Sequence, residues 1–258
     1  GLVFAEALAR VGGDEIIKEL QVALGDGVPL FGALAADDWN FERTYQFFGR
    51  EVLEEAVVGV LFYGALEVGF GVESGWKPLG APALVERSDG NIVHAIGGRS
   101  AKSHYDRLVG YAPDMTGSYP LMVEHGVNHF LRAPLKEDGG SVIFAGSVPE
   151  GVQVTVSTAT ADQVLNAAAE SAIEADQMLG APADFVLLIS CAARRYVLGS
   201  QASKEIDEVR QHIKGEPTVA GIYGYGELAP CWTCKTDRSL LHNETFVTVA
   251  FRERPADA

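Results

Sequence analysis

One pattern of glycines, apolar runs and acidic residues occurs twice in this sequence, at positions 189 residues apart. Gly32 precedes Gly59 by 27 residues, Gly221 precedes Thr248 by the same number, and each segment ends in an apolar run. Self-similarity at a fixed spacing indicates a repeated structural unit, so we predict two copies of one layered α/β unit. The same offset aligns two further pairs without a gap, Asp38 with Glu227 and Glu55 with Glu244.

Short apolar runs rich in Val, Ile, Phe and Tyr, bounded by Gly, Pro or Asp, recur along the chain and predict β-strands. Helical periodicity is rarer. Because strands outnumber helices, we predict an α/β fold, of the α+β type with mixed sheets. The predicted strands lie near 2–5, 28–35, 43–49, 56–63, 66–72, 82–87, 91–96, 119–124, 128–133, 141–146, 152–157, 184–190, 218–224, 239–242 and 244–252, and the predicted helices near 14–20, 100–108, 160–179 and 203–213.

The composition is that of a globular protein, since 47% of the 258 residues are hydrophobic, 21% are charged and the mean hydropathy is +0.09. The charged side chains sum to −15. A surface this acidic repels phosphate backbones and anionic lipids, which argues against nucleic acid or a membrane surface as a partner. The longest apolar stretches, 56–66 and 185–193, are shorter than the roughly 20 residues that span a bilayer.

The three cysteines, Cys191, Cys231 and Cys234, are too few for a disulfide framework in a chain of this size. No secretory signal opens the sequence, so we expect a cytoplasmic protein with free thiols. The chain begins at Gly1 directly in an apolar run rather than at Met, which is typical of a sequence that lacks upstream residues.

The two copies differ in polarity, and this difference indicates a candidate site. The second copy has Glu227 in a Gly-rich segment and a His-Asn-x-Thr set over 242–245, whereas the matching segments 33–38 and 52–56 of the first copy lack both. A Gly-rich turn lets the backbone approach a ligand closely while a carboxylate points inward. The alternative is a solvated turn with a capping glutamate, and the spacing does not separate the two.

These residues carry a resemblance to a known family. Residues 221–230 read Gly-Ile-Tyr-Gly-Tyr-Gly-Glu-Leu-Ala-Pro, and residues 241–245 read Leu-His-Asn-Glu-Thr. Together they resemble the C-terminal motif of the FIST family, Gly-x-x-x-x-Gly-Glu-Ile-Ala-Pro followed by Phe-His-Asn-x-Thr, with Leu241 in place of Phe. Further segments similar to family motifs are Ser190–Arg194 with Leu198-Gly199, Ser147–Gly151, and Gly97–Ala101 with Tyr105, where Ser100 replaces a Pro.

The resemblance implies a FIST N-like domain over 1–115 and a FIST C-like domain over 116–258. It implies a sensory protein of signal transduction that binds small ligands such as amino acids or similar polar metabolites, with a signalling protein as a further partner. It brings neither a catalytic activity nor a cofactor.

An amino acid presents a carboxylate and an ammonium group a few ångströms apart. Among the residues that carry the resemblance, Arg194 can grip the carboxylate through its planar guanidinium, and Glu227 can accept the ammonium hydrogens. The alternative is that Arg194 and Glu227 pair with each other and lock two loops. The candidate ligand-binding residues are Cys191, Arg194, Tyr223, Tyr225, Gly226, Glu227, His242, Asn243 and Thr245.

The cysteines support other classes of function. Cys231 and Cys234 with His242 have the ligand types of a zinc site, although a second close pair is lacking. Cys191 with His242 as a base has the residue types of a cysteine-dependent enzyme. A protein-interaction platform, which needs an exposed apolar patch, is a further alternative.

No nucleotide-binding or hydrolase motif is present. The glycines Gly69, Gly71 and Gly75 do not form a dinucleotide fingerprint, because Trp-Lys-Pro follows at 76–78 instead of the start of a helix. The sequence also contains no P-loop, no Gly-x-Ser-x-Gly elbow and no His-Glu-x-x-His.

Overall fold

The computed structural model describes residues 1–8, 12–110, 117–125, 128–230 and 238–254. Its helices are α1 (Gly13–Leu24), α2 (Ala101–Val109), α3 (Ala161–Leu179), α4 (Ala192–Leu198) and α5 (Lys204–His212), with a 3-10 turn at Gly199–Gln201. Its strands are β1 (Leu2–Ala5), β2 (Phe31–Leu34), β3 (Gln46–Phe48), β4 (Glu51–Leu53), β5 (Val57–Val60), β6 (Leu66–Glu73), β7 (Lys77–Pro78), β8 (Ala83–Asp89), β9 (Ile92–Ile96), β10 (Arg99–Ser100), β11 (Leu121–His125), β12 (Asn128–Arg132), β13 (Pro134–Asp138), β14 (Ser141–Phe144), β15 (Gln153–Thr158), β16 (Phe185–Cys191), β17 (Thr218–Gly224), β18 (Gly226–Pro230), β19 (Ser239–His242) and β20 (Phe246–Glu253).

Two sheets stack face to face at the centre of the molecule. One has five strands in the order β19-β18-β2-β1-β5, and the other has four in the order β17-β16-β20-β6. Phe31 and Ala33 of the first sheet share a buried cluster with Ile189 and Val247 of the second. Helix α1 covers the outer face of the first sheet, and α3 and α5 cover the outer face of the second. The layers therefore run helix, sheet, sheet, helix, which confirms the predicted mixed α/β class.

Strand β16 shows why the layers form. Its alternate residues Val186 and Leu188 pack under α3 and α5, while Leu187 and Ile189 pack against the other sheet. Successive side chains of a strand point to opposite faces, so a continuous apolar run is stable only when both faces are covered.

The predicted internal repeat is confirmed by the register of the two sheets. Val3 on β1 pairs with Gly32 in parallel β2 and with Gly59 in antiparallel β5. Leu188 on β16 pairs with Gly221 in parallel β17 and with Thr248 in antiparallel β20. The residues that share the 189-residue offset thus occupy the same positions in two three-stranded units.

The two sheets exchange strands along the chain. Strand β18 pairs with β2, so that the hairpin β18–β19 extends the sheet built by the N-terminal residues. Strand β6 pairs along its whole length with β20 in the other sheet. The domain boundary that we predict between residues 115 and 116 lies outside the described residues and remains a prediction.

A third sheet builds a separate core. Its strands run β12-β11-β15-β8-β9-β14-β13, with β10 beside β9 and β7 beside β15. The core beneath it contains Val93, Leu121 and Phe144 together with Tyr105 of α2. In the part of the chain that the structure describes, every helix is too short or too polar to cross a membrane.

Three glycines of the kind found in nucleotide-binding loops instead allow the chain to pack closely against helix α3. A Cβ atom at Gly69, Gly71 or Gly75 would overlap the backbone of α3. Helix α3 carries small residues on this side, and the Ser171 hydroxyl donates to the Gly71 carbonyl oxygen at 2.9 Å. Because glycine has no side chain, helix and strand approach to backbone contact.

The short strands β4, β7 and β13 lie outside the predicted strands, and two further elements differ from the sequence prediction. Glu227 lies in strand β18 rather than in a Gly-rich turn, because this segment pairs with β2 on one side and β19 on the other. Residues 192–198 form helix α4, where no helix is predicted. Both depend on contacts with distant parts of the chain, which local periodicity does not report.

Candidate functional site

A cleft of about 380 Å³ lies between the N-terminal and C-terminal halves. The start of α1, at Gly12 and Gly13, lines one side, and Gly146 and Ser147 line the other. Phe41, Leu135, Ala145 and Tyr225 also line a smaller cavity of about 30 Å³, so the two spaces adjoin. Pockets lined by both halves of a protein are typical places for small ligands.

Glu244 lines the smaller cavity and is fully buried. Neither of its carboxylate oxygens has a hydrogen-bond partner among the described residues. Burial, and after it the nearby Glu227 carboxyl, raise the pKa of Glu244 well above its usual range. A Cβ atom at Gly117 would lie 2.5 Å from Oε1 of Glu244, so only glycine fits at this wall. A buried polar group without a partner marks a place where a ligand can complete the bonding.

Glu227 lies behind the cavity wall, and one of its two carboxylate oxygens has hydrogen-bond partners. Its Oε2 accepts hydrogen bonds from the backbone N–H of Thr245 at 3.1 Å and from the Thr245 hydroxyl at 2.8 Å. Its Oε1 has no partner within the described part of the chain. Burial raises the pKa of Glu227 to about 8. The motif residues Glu227 and Thr245 therefore act as a pair that holds the strand ends together.

Cys191 lines the cavity at the junction of β16 and α4. Burial, followed by the charges of Glu227 and Glu244, raises the pKa of its thiol well above the usual value. A reactive cysteine needs a lowered pKa, so these surroundings favour a neutral thiol over a nucleophilic thiolate.

Aromatic side chains form the wall nearest the cleft. The ring of Tyr225 stacks on Phe41 with centroids 4.8 Å apart, and Trp39 contacts both rings at 5.8 Å. The Tyr225 hydroxyl donates to Asp37 Oδ1 and accepts from the backbone N–H of Trp39, both at 2.6 Å.

Asp37 organises the turn that carries these rings. Its carboxylate accepts backbone N–H bonds from residues 41, 42 and 43 at 2.8–3.1 Å. Burial alone would raise the pKa of Asp37, but the bonds from Tyr225 and from this backbone lower it to about 2. The carboxylate thus stays charged and holds residues 37–43 in a fixed turn.

Arg194 is fully buried, and its guanidinium group donates hydrogen bonds to other residues of the protein. Its Nε donates to Glu205 Oε1 at 2.9 Å, and its two terminal nitrogens donate to the carbonyl oxygens of Ser74 and Val164 at 2.6 and 2.7 Å. The sequence left open that Arg194 pairs with Glu227. In the structure its carboxylate partner is Glu205. Tyr223 joins the same network, since its hydroxyl donates to Glu205 Oε2 at 3.0 Å. The structure places Arg194 and Tyr223 outside the two sets of residues that line the cleft and the cavity.

Of the remaining motif residues, Gly226 and His242 lie in paired strands, and Asn243 lies directly after β19. His242 Nε2 donates to the Ala229 carbonyl oxygen at 3.1 Å, and burial lowers the pKa of His242 to about 4, so the ring is neutral. Asn243 Oδ1 accepts the backbone N–H of Ala133 at 3.3 Å. Gly226 pairs with Leu34 across β18 and β2. These residues position the strands and do not line the cavity.

An ion pair between a buried arginine and a partly exposed aspartate connects the two halves beside the cleft. Arg132 on β12 donates from Nη2 to Asp14 Oδ1 at 2.9 Å, and Asp14 is in the first turn of α1. The same arginine donates to the carbonyl oxygens of Ser147 at 3.0 Å and Leu241 at 3.1 Å. A shift of α1 relative to the C-terminal strands must therefore disturb this network.

Two family models match the chain in succession. The FIST N domain model matches residues 1–99, and the FIST C domain model matches residues 101–230. The chain belongs to the FIST family. FIST domains are sensory domains of signal-transduction proteins.

Similar curated proteins come from mycobacteria. The uncharacterized protein Rv0628c of Mycobacterium tuberculosis is 28% identical over 231 residues, covering 83% of this chain and 59% of that protein. The uncharacterized protein Mb0898c of Mycobacterium bovis is 24% identical over 239 residues, covering 85% of this chain and 59% of that protein. The present FIST chain thus spans 59% of the length of these relatives.

The residues of this candidate site that sequence reasoning missed include Glu244, Trp39 and Phe41. Glu244 occupies the variable position of the His-Asn-x-Thr motif, but the internal repeat already aligned it with Glu55. Both glutamates have left-handed backbones, with φ of 61° and 48°. The aromatic pair lies in the first copy, where the lower polarity did not indicate a site.

The zinc hypothesis is not addressed by this structure. Cys231 and Cys234 lie outside the described residues, and His242 uses its Nε2 on a carbonyl oxygen. Among the residues that are described, no three His, Cys, Asp or Glu side chains are arranged to hold a metal ion.

Proposed function

We propose that this FIST protein is a sensory protein that binds a small polar metabolite, such as an amino acid, in the cleft between its halves. The observation that carries the proposal is Glu244, a fully buried carboxyl without a partner in the described structure that lines a cavity adjoining the cleft. A protein retains a group of this kind at a free energy cost, which a ligand that bonds to it offsets.

The position of the cleft supports a role in signalling. Its walls come from α1 and residues 90–91 of the N-terminal half and from residues 144–147 and Tyr225 of the C-terminal half. A ligand that contacts both walls favours the arrangement in which they are closest. Such differential binding is how a protein without chemistry at its site transmits occupancy.

A panel of amino acids and other small polar metabolites, screened by thermal shift and followed by calorimetry, tests the proposal. A ligand at 100 times its dissociation constant adds about 2.7 kcal/mol. At roughly 2–4 °C per kcal/mol for a chain of this size, that is a shift of about 5–10 °C. We expect one chemical class to produce it.

A matched pair of variants locates the binding. Gly12 lines the cleft in an extended conformation, and a Cβ there meets no atom within 4 Å, so Gly12→Leu introduces a bulky side chain at the cleft from an unobstructed Cβ position. Gly27 is equally unobstructed but lies away from the cleft, so Gly27→Leu is the control. Binding is expected to be lost only in Gly12→Leu. If no compound of the panel binds, or if Gly12→Leu binds as well as the control, the cleft is not the ligand site.

A protein-interaction platform is the second candidate, supported by the hairpin β3–β4. This hairpin exposes Phe47, Phe48 and Val52 to 70%, 62% and 60%. Exposed apolar clusters of this kind mark contacts with other proteins. Absence of any ligand effect in the panel would favour this function over the sensory one.

A further inference from the structure

We infer that the cavity at Glu244 is a subsite for a primary ammonium group, which makes the ligand of this protein an organic amine. The inference rests on the proposed function and adds the chemical class of the group that enters deepest. It assigns the contact to Glu244, which lines the cavity, rather than to Glu227, whose Oε2 is already bonded to Thr245.

Among the described residues, the groups that face Glu244 offer its carboxyl no uncommitted positive charge. Glu227 on β18 and the Cys191 thiol on β16 are its titratable neighbours, and neither supplies positive charge. Arg194 on α4 is the nearby cation, but its guanidinium is bonded to Glu205 and two carbonyl oxygens. An ammonium group carries three N–H donors and a full charge, so it can bond to both free oxygens of Glu244.

The remaining cavity wall suits the carbon chain that carries an ammonium group. Apart from Glu244 and Cys191, it consists of small apolar residues and the rings of Trp39, Phe41 and Tyr225. Aromatic faces attract cations, and more strongly where water is excluded. The wall therefore favours a cation on an alkyl chain over a second polar group.

The size of the cavity selects among cations. A volume of about 30 Å³ holds about two water molecules, since one needs roughly 10–15 Å³. An –NH₃⁺ group with its first methylene fits this space, whereas a trimethylammonium group needs the aromatic wall to move. The geometry thus selects a primary amine over a quaternary one.

Binding of an ammonium group changes the protonation of Glu244. Burial and the neighbouring Glu227 raise the pKa of Glu244, whereas an ammonium group pairs with the ionised carboxylate and lowers that pKa again. Protons held by Glu244 are therefore released as the ammonium binds, and affinity increases with pH until the amine itself loses its proton near pH 10. Calorimetry in two buffers of different ionisation enthalpy counts the released protons.

The test uses n-butylammonium and its uncharged counterpart n-butanol as probes of the full chain, by calorimetry and ligand-observed NMR. We expect the amine to bind with release of protons, and the alcohol to bind at least about tenfold more weakly, the usual value of a charge-assisted hydrogen bond. Tetramethylammonium is expected to bind more weakly than n-butylammonium.

Variants assign the effect to one carboxyl. Glu244→Gln keeps the shape and removes the charge, so it should weaken n-butylammonium at least about tenfold. Glu55→Gln is the matched control, because Glu55 is the repeat equivalent of Glu244, with the same left-handed backbone, but is exposed. If Glu244→Gln does not fold, the comparison of amine with alcohol on the unmodified chain decides.

Several results would overturn the inference. They are equal binding of n-butanol and n-butylammonium, unchanged amine binding in Glu244→Gln, or tighter binding of a metal ion such as Zn²⁺ than of any amine. A metabolite that binds in the cleft independently of Glu244 would leave the sensory function standing and remove only this subsite. If no metabolite of the panel binds, both the sensory function and the ammonium subsite are wrong.

Discussion

At the scale of residues, burial alone does not identify a functional group. Arg194 and Glu244 are both fully buried and lie in motifs of the family. The arginine donates to a carboxylate and two carbonyl oxygens, whereas the glutamate has no partner within the described structure. The first stabilises the fold, and the second is available to a ligand.

Replacing Arg194 by Met should destabilise the protein by about 3–5 kcal/mol, because Glu205 would stay buried without its cation. The neighbouring Arg195 is 55% exposed and pairs with exposed Asp38, so Arg195→Met should cost less than about 1 kcal/mol. Urea denaturation of both variants measures the difference. Equal losses would show that the buried pair does not have the structural role described here.

At the scale of elements, the two copies use corresponding segments differently. Strand β18 of the second copy pairs with β2, while the equivalent residues 37–41 form a turn with left-handed backbones at Asp38, Trp39 and Phe41. That turn brings the aromatic rings to the cavity. One structural unit thus supplies the strand that carries Glu227, and the other supplies the wall.

The contact of α3 with β6 gives a prediction for glycine. A Cβ at Gly71 would overlap the Ser171 carbonyl oxygen, so Gly71→Ala must push the helix away and should cost about 1–3 kcal/mol or more. Gly27→Ala, at an exposed turn with open space, should change stability by less than about 0.5 kcal/mol. Thermal unfolding compares them, and a Gly71→Ala protein as stable as the control would contradict the close packing.

At the scale of the whole molecule, the FIST N and FIST C portions do not form separate cores. The hairpin β18–β19 extends a sheet of N-terminal strands, β6 pairs with β20, and Arg132 bonds to Asp14 across the cleft. Each half supplies strands that the other needs.

We therefore expect one cooperative unfolding transition. Calorimetry should give a ratio of calorimetric to van't Hoff enthalpy of about 1, and circular dichroism should follow the same curve as the tryptophan fluorescence. Of the three tryptophans, Trp39 lies at the cavity and Trp76 lies in the buried cluster with Val164. Two resolved transitions would mean that the halves unfold independently despite the shared sheets.

The sequence predicted most elements where periodicity is strong. Strand β16 and helix α3 lie within one residue of their predicted bounds, because long apolar runs and a capping box at Thr160 act locally. Strand β18 and helix α4 were missed. Their Gly-rich or short segments become regular only through neighbours far along the chain.

By itself, the sequence determined the family, the internal repeat and the positions of most of the longer strands. Repeated spacing and alternating hydrophobicity are local properties, and they carry over into register, as Val3 and Leu188 show. Only the tertiary structure decided which buried polar side chains have hydrogen-bond partners within the described residues. Hydrogen bonds and charges are satisfied by partners from anywhere in the chain, so only the folded arrangement bonds Arg194 to Glu205 and leaves Glu244 facing a cavity.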